Sequence, residues 1–224
     1  MAWSQLPTTM LLALQTPKPH PFTLKPSKTA LVIVDMQKRI YAKPQSRAYA
    51  AIEGNVRLLQ MAREAGVKVI FIQSVRSPDS IEFSVFGKEP YLLEGTEETE
   101  IIDELAPLPG EHIVKKYTHD PFARTKLNDL LIEERILPTE TTIIVTGVSI
   151  AVCAYAACVG FSCRHYMTLI PMDCVAASSA EEEARAFGKF RENSYAFTNS
   201  QMIEFSPAGM ETRDIVAVLP SASN

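Results

Sequence analysis

The 224-residue sequence lacks any long uncharged apolar run, which argues against a membrane-spanning helix. It lacks an excess of basic charge as well, since 22 lysines and arginines against 26 acidic residues leave a net charge of −4, so nothing indicates a nucleic-acid-binding surface. Only four cysteines occur, without a spaced framework, which is typical of a reducing compartment and predicts a cytoplasmic protein. The short apolar patch at residues 9–14 has no basic segment before it, so we do not interpret it as a secretory signal.

What the sequence does contain is an alternation of apolar, β-branched runs with segments of helical periodicity. Six strands are predicted, at residues 30–35, 67–72, 112–116, from 142, 165–171 and 195–198. Helical periodicity appears at residues 52–65, from about 127, from about 153 to 163, and at 180–190. This alternation predicts an α/β fold: a single-domain doubly wound sheet of six strands, mainly parallel, with helices on both faces.

Proline density sets the boundaries of the predicted domain. Residues 1–28 contain five prolines, which disfavour a helix or a central strand, so we expect an arm that either dangles or packs on another surface, such as a neighbouring subunit. The domain is predicted at residues 29–205, followed by a loosely ordered tail at 206–224. Between residues 73 and 109 the pattern lapses, which indicates a functional wall or lid; its aromatic residues either line a pocket or anchor the loop.

Three residues with complementary chemistry come at the ends of predicted strands. Asp35 follows the first strand, Lys116 ends the third, and Cys153 lies just after the fourth, where a helix begins. Ligands of open α/β sheets bind outside the carboxyl ends of the strands, so we expect these side chains to be neighbours. Together they would form a nucleophile set: Asp35 as the base, Lys116 as the stabilising cation, and Cys153 as a thiolate that the helix N-terminus favours. The alternatives are a loop cap, a solvated surface charge and a core cysteine.

Three segments carry a family resemblance that covers roughly residues 29–205. They read LVIVDMQ at residues 31–37, VKKYTHDPF at 114–122 and TGVSIAVC at 146–153. In this order they resemble the motifs of the isochorismatase-like cysteine hydrolase superfamily, which includes amidohydrolases as well as isochorismatases. The resemblance selects Lys116 over Lys115, because the family's lysine lies six residues before a phenylalanine. It implies a hydrolase with the catalytic triad Asp35, Lys116 and Cys153.

The resemblance has further implications. It implies a non-proline cis peptide bond between Val148 and Ser149, and an oxyanion hole made by the backbone N–H groups of Ser149 and Cys153. It also implies a homo-oligomer, either a dimer or a tetramer, that needs no cofactor. Four residues in or beside the matched motifs are predicted to contact the substrate, a small molecule of the amide type: Gln37, His119, Phe122 and Tyr155. Gln37 is also predicted to orient Asp35 by a hydrogen bond, and the alternative for His119 is a surface role.

Departures from the family pattern narrow the activity. Nicotinamidases of this family carry an Asp-x-His metal site after the second strand, whereas residues 73–79 here contain no histidine, so no metal is expected. True isochorismatases cleave a vinyl ether and can do without the cysteine, so Cys153 favours hydrolysis of an amide, carbamoyl or ureido C–N bond through a thioester. Isochorismatase-type ether hydrolysis stays an alternative because residues 95–98 resemble a loop of that branch. A catalytically silent binding or assembly module is the other alternative.

Overall fold

The computed structural model describes residues 17–42, 47–191 and 195–218. The strands are β1 (Phe22–Leu24), β2 (Thr29–Val34), β3 (Lys68–Ser74), β4 (His112–Lys116), β5 (Thr142–Val148), β6 (Met167–Pro171), β7 (Val175–Ala176), β8 (Ala196–Thr198) and β9 (Ile203–Phe205). The α-helices are α1 (Ile52–Glu64), α2 (Ile81–Ser84), α3 (Leu127–Glu133), α4 (Cys153–Ser162), α5 (Ala180–Arg191) and α6 (Thr212–Val218). Short 3-10 helices occur at Pro26–Lys28, Lys38–Ala42, Arg47–Ala51, Glu97–Thr99, Asp103–Leu105, Met172–Cys174 and Ser200–Met202.

The main sheet has the strand order β4-β3-β2-β5-β6-β8, and the two-residue strand β7 pairs with β5. Every strand pair of this sheet is parallel. The chain runs outward from β2 through β3 to β4 and then returns to β5 on the other side of β2. The predicted doubly wound α/β sheet of six main strands is therefore confirmed.

The two faces of the sheet are covered by different helices. All six residues of β2 are buried, as expected for a central strand between two helical layers. Ala30, Val32 and Val34 pack on one face, in a core that includes apolar residues of α3, α4 and α5. Leu31 and Ile33 point the other way, into a core that includes residues of α1 and α6. This period-two alternation accounts for a three-layer architecture.

The segments outside the main sheet differ from expectation in two places. Phe22 of β1, within the predicted proline-rich arm, pairs in parallel with Ile203 of β9 and so joins the chain's two ends in a small second sheet. The predicted loose tail is wrong for α6, because Ile215 is fully buried and Thr212 Oγ1 lies 3.1 Å from Thr142 Oγ1. Residues 1–16 of the arm and 219–224 of the tail lie outside the described residues. Among the described helices, none has the length and apolar character needed to cross a membrane.

Candidate active site

The candidate site lies where the strand order reverses. Because the chain continues outward from β2 on one side and returns to β5 on the other, the carboxyl ends of β2 and β5 border a crevice. Asp35 directly follows β2, and Cys153 begins α4 after a short turn that leaves β5. Lys116 ends β4, which is separated from β2 by β3, and its long side chain reaches past the end of β3 to the other two residues.

Lys116 is the centre of this cluster. Its Nζ lies 2.9 Å from Asp35 Oδ2 and 3.3 Å from Cys153 Sγ. It also donates to the carbonyl oxygen of Thr118 at 3.2 Å and to Ser74 Oγ at 3.3 Å. The side chain is completely buried, and a buried ammonium group is tolerated only when anions and dipoles surround it. The surface-charge alternative for Lys116 is therefore wrong.

Asp35 presents two carboxylate oxygens with different surroundings. Oδ2 accepts the hydrogen bond from Lys116, whereas Oδ1 is buried and has no hydrogen-bond partner among the described residues. The backbone at Asp35 has a φ of 53°, a left-handed conformation that aspartate adopts more readily than most residues. Its amide N–H donates to the carbonyl oxygen of Ile72 at 2.9 Å, which fixes this turn to β3. One oxygen thus anchors the carboxylate and the other is available to accept a proton.

Cys153 is a buried thiol rather than a resting thiolate. Burial, and next the nearby Asp35 carboxylate, raise the pKa of Cys153 to about 12, although the Lys116 ammonium acts in the opposite direction. The expectation that the helix N-terminus would favour a thiolate is therefore wrong for the resting protein, because desolvation and Asp35 outweigh the favourable terms. A reaction at neutral pH needs a base that takes the thiol proton as the sulfur attacks.

The turn between β5 and α4 holds Cys153 at the cavity. Gly147 has a φ of 98° and lies beside Val34, and a Cβ at Gly147 would come within 2.0 Å of the Val34 carbonyl oxygen, so only glycine fits. The peptide bond between Val148 and Ser149 is cis, as the resemblance implied. The backbone N–H groups of Ser149 and Cys153 donate no hydrogen bond to the described part of the chain, so both are free to bind an external oxygen atom.

A cavity of about 490 Å³ lies over these groups, a volume that suits a small molecule. Asp35, Ser149 and Cys153 contribute to its lining, and most of the remaining wall is apolar. Two further charged side chains line it: Arg39, whose Nη1 lies 2.6 Å from Glu98, and Glu182, which accepts hydrogen bonds from Ser178. The wall also includes Leu92 from the long loop at residues 73–109.

The predicted substrate contacts Gln37 and His119 lie at or beside the reactive groups. Gln37 lines the cavity, but its amide nitrogen donates to the carbonyl oxygens of Ser74 and Thr99, each at 2.8 Å, rather than to Asp35. The interpretation that its side chain orients Asp35 is therefore wrong. Nδ1 of His119 lies 3.4 Å from Cys153 Sγ, so this histidine contacts the predicted nucleophile.

The other two predicted contacts, Phe122 and Tyr155, are not brought to the cavity. Phe122 is 6% exposed and packs edge-on against Phe161, with the guanidinium carbon of Arg164 3.7 Å from its ring centre. Tyr155 packs on Phe190, with ring centres 5.1 Å apart.

Phe83, Phe86 and Tyr91 of the long loop do not line the cavity either; Phe83 and Tyr91 pack edge-on against each other, and Phe86 is exposed. In this structure these rings have packing or surface positions.

Sequence reasoning missed Ser74 and Thr118 as partners of Lys116. Ser74 ends β3, and because β3 lies between β2 and β4, the strand order would have pointed to it. Thr118 acts through its carbonyl oxygen, so no side-chain pattern could have revealed it. Within residues 17–42, 47–191 and 195–218, no group of three or more histidine, cysteine, aspartate and glutamate side chains is arranged to hold a metal ion.

Comparison with known proteins identifies relatives of this chain. Two curated ureidoacrylate amidohydrolases (RutB), from Rhizobium rhizogenes and Agrobacterium fabrum, are each 32% identical over 142 residues, or 51% of this chain. The matches cover 58% and 62% of those proteins, so the chain spans less than two thirds of the relatives' length.

Solved structures show the same fold at lower identity. The N-carbamoylsarcosine amidase of Thermoplasma acidophilum superposes with a TM-score of 0.67 at 24% identity, covering 77% of this chain and 96% of that one. A cysteine hydrolase of Pseudomonas syringae pv. phaseolicola gives a TM-score of 0.70 at 24% identity, covering 83% of this chain and 95% of that one. The isochorismatase domain model matches residues 29–201, more than three quarters of the sequence, and the chain therefore belongs to the isochorismatase-like hydrolase family.

Proposed function

We propose that this protein is a cysteine-dependent hydrolase of an amide, carbamoyl or ureido C–N bond in a small molecule. The observation that carries the proposal is the double contact of Lys116, whose Nζ lies 2.9 Å from Asp35 Oδ2 and 3.3 Å from Cys153 Sγ at the lining of a cavity. A nucleophile, a base and a cation held within hydrogen-bond reach of one another are what acyl transfer through a covalent intermediate requires.

The acylation step follows from the resting state of these groups. The free oxygen of Asp35 takes the Cys153 proton as the sulfur attacks the substrate's carbonyl carbon, because the pKa of the thiol, about 12, leaves little thiolate at neutral pH. Lys116 balances the negative charge that passes between the carboxylate and the sulfur. Asp35 then returns the proton to the leaving nitrogen as the C–N bond breaks, and a thioester, or the corresponding thiocarbamate from a carbamoyl or ureido compound, remains on Cys153.

The tetrahedral intermediate needs donors for its oxyanion. The backbone N–H groups of Ser149 and Cys153 suit this role because neither has an acceptor in the described part of the chain. Preorganised donors of this kind contribute roughly 3–4 kcal/mol each to transition-state stabilisation. No step of this scheme uses a metal ion or an organic cofactor.

The comparisons support the C–N bond as the bond that is cleaved. The curated relatives at 32% identity act on ureidoacrylate, according to their name. Ether hydrolysis of the isochorismatase type does not call for a thiol, whereas here Lys116, Asp35 and His119 all surround Cys153. Hydrolysis of an amide-type C–N bond is therefore the proposed function, and the same test distinguishes it from ether hydrolysis and from a binding module.

The test is ammonia release by the purified protein from a panel of primary amides, carbamoyl compounds and ureido acids, with Cys153→Ala beside the wild type. We expect release from at least one carbamoyl or ureido compound and none from the variant. Activity that Cys153→Ala retains, measured also on a vinyl ether, would favour ether hydrolysis. A wild type without activity, whose Cys153 also resists alkylation at raised pH, would favour the binding module.

A further inference from the structure

His119 is the second group beside the nucleophile that can exchange a proton with it. Its Nδ1 lies 3.4 Å from Cys153 Sγ, within the distance of a hydrogen bond to sulfur. In the tautomer that carries its proton on Nε2, Nδ1 accepts a hydrogen bond from the thiol. The acylation scheme uses Asp35 for the thiol proton and leaves this contact without a function.

The loop that follows β4 places the ring there. Lys116 Nζ donates to the carbonyl oxygen of Thr118 at 3.2 Å, so the chain folds back over the ammonium group immediately after the strand ends. The next residue is His119, which this turn directs toward Cys153. Asp120 then closes the turn, because its Oδ1 accepts the backbone N–H of Phe122 at 2.8 Å. The position of His119 is thus tied to the same lysine that organises the triad.

His119 also meets solvent, whereas Lys116 is completely buried. His119 is an exposed residue, apart from the edge of the ring that contacts the sulfur. A group that touches both water and the sulfur of the nucleophile can carry a proton between them. This is the connection that hydrolysis of a thioester needs, since water must lose a proton and the departing sulfur must gain one.

We propose that His119 is the general base of the deacylation step, an inference that rests on the proposed function. Nδ1 takes a proton from the attacking water as the water oxygen bonds to the thioester carbonyl carbon. The C–S bond breaks, its electron pair passes to sulfur, and the acid is released: a carboxylic acid from an amide, or a carbamic acid from a carbamoyl or ureido compound. The imidazolium returns its proton to the sulfur 3.4 Å away, which restores the thiol. Asp35 serves acylation, and His119 serves deacylation.

The charge environment keeps the imidazole in its basic form. Partial burial, followed by the Lys116 and Arg76 cations, lowers the pKa of His119 below its ordinary 6.5, against smaller opposite effects of Glu82 and Asp35. The Cys153 thiol also faces the ring, with Sγ 3.4 Å from Nδ1. The neutral ring is therefore the main form at pH 7, and it can accept a proton.

The test separates the two half-reactions with 4-nitrophenyl acetate, which acylates thiols and reports acylation by release of 4-nitrophenol. Loss of the acetyl group from Cys153 is followed by intact-mass spectrometry after the reagent is removed. In His119→Gln we expect acylation within about 3-fold of the wild type, but deacylation slowed by roughly 10²-fold, so that acetyl-enzyme accumulates. In the wild type the deacylation rate should decrease as the pH is lowered, with a midpoint below pH 6.5. The variant should lack this pH dependence.

The control is His20→Gln, which removes another exposed histidine and should change neither rate. Equal deacylation rates in His119→Gln and the wild type would overturn the inference and leave the proposed function intact. A parallel loss of acylation and deacylation would overturn it too, because the histidine would then act only by positioning Cys153. If the wild type takes no acetyl group on Cys153, or if Cys153→Ala takes as much acetyl as the wild type, both the proposed nucleophile and this inference are wrong.

Discussion

The ammonium nitrogen of Lys116 lies 3.3 Å from the sulfur of Cys153, in a side chain that solvent does not reach. The same nitrogen holds Asp35 Oδ2 at 2.9 Å, so one cation is shared by the carboxylate and the thiol. Asp35 and Lys116 act on the thiol with opposite sign: the carboxylate raises the pKa of Cys153 and the ammonium lowers it. This opposition gives the proposed triad a signature that can be measured.

The signature is that removal of the Asp35 charge makes the Cys153 thiol more acidic and yet slows turnover. Asp35→Asn should lower the pKa of Cys153 from about 12, because a negative charge beside the sulfur is removed, while it reduces turnover by roughly 10²–10⁴-fold because the base is lost. Lys116→Met should raise the pKa of Cys153 further. The pH dependence of iodoacetamide alkylation measures both shifts, with Cys153→Ala as the background. A higher thiol pKa in Asp35→Asn would contradict this electrostatic account.

Gly147 is expected to be irreplaceable for steric reasons. Gly147→Ala would bring a Cβ to 2.0 Å from the Val34 carbonyl oxygen in addition to the strain of a φ of 98°, so we expect a loss of roughly 4 kcal/mol or more in the free energy of unfolding. Gly66→Ala is the matched control, because Gly66 has a φ of 72° but open space around its missing Cβ. It should cost about 1–2 kcal/mol. Urea unfolding measures both, and equal losses would show that the close approach to Val34 is not limiting.

Gln37 is expected to stabilise the loop that follows β3 rather than to orient the Asp35 carboxylate. Its amide accepts the Ser74 N–H at 2.9 Å and donates to the carbonyl oxygens of Ser74 and Thr99. Gln37→Leu removes these three buried hydrogen bonds, although the Thr99 carbonyl oxygen keeps the bond from Gln73 Nε2 at 2.7 Å, so we expect a loss of about 2–3 kcal/mol in the free energy of unfolding. Gln60→Leu, which removes only an exposed bond to Glu64, should change it by less than about 0.5 kcal/mol. Urea unfolding in which the two variants lose equal stability would contradict this role.

The proposed chemistry predicts that metal removal leaves activity unchanged. In the proposed scheme Asp35 and Lys116 activate Cys153, and backbone N–H groups hold the oxyanion, so no Lewis acid takes part. Turnover on the best compound of the panel should be the same before and after dialysis against a strong chelator, with the metal content measured by mass spectrometry. Loss of turnover that zinc or manganese restores would require a different mechanism.

Much of this architecture could be predicted from the sequence because it follows local patterns. The apolar run of β2 predicted a central strand buried on both faces, and all six of its residues are buried. The strand ends then brought Asp35, Lys116 and Cys153 together through the general rule for ligand sites in α/β sheets, with the three motifs fixing which lysine was meant.

Other features depend on contacts between distant parts of the chain. The pairing of β1 with β9 joins segments about 180 residues apart, and three-residue strands carry little periodic signal of their own. The acidity of Cys153 was predicted with the wrong sign, because the helix N-terminus is visible in the sequence while burial and the approach of Asp35 are not. Tyr155 lies close to the nucleophile in sequence but packs on Phe190, since neighbours along a helix face different directions.

The most direct test of the central claim is to find the acyl group on Cys153 during turnover. The wild type is mixed with the panel compound that releases ammonia fastest, quenched with acid within the first turnovers, digested and mapped by mass spectrometry. The account predicts a substrate-derived acyl group on the peptide that contains Cys153, labile to hydroxylamine and absent from Cys153→Ala. Sustained ammonia release by Cys153→Ala, with no acyl group on this peptide in the wild type, would contradict it.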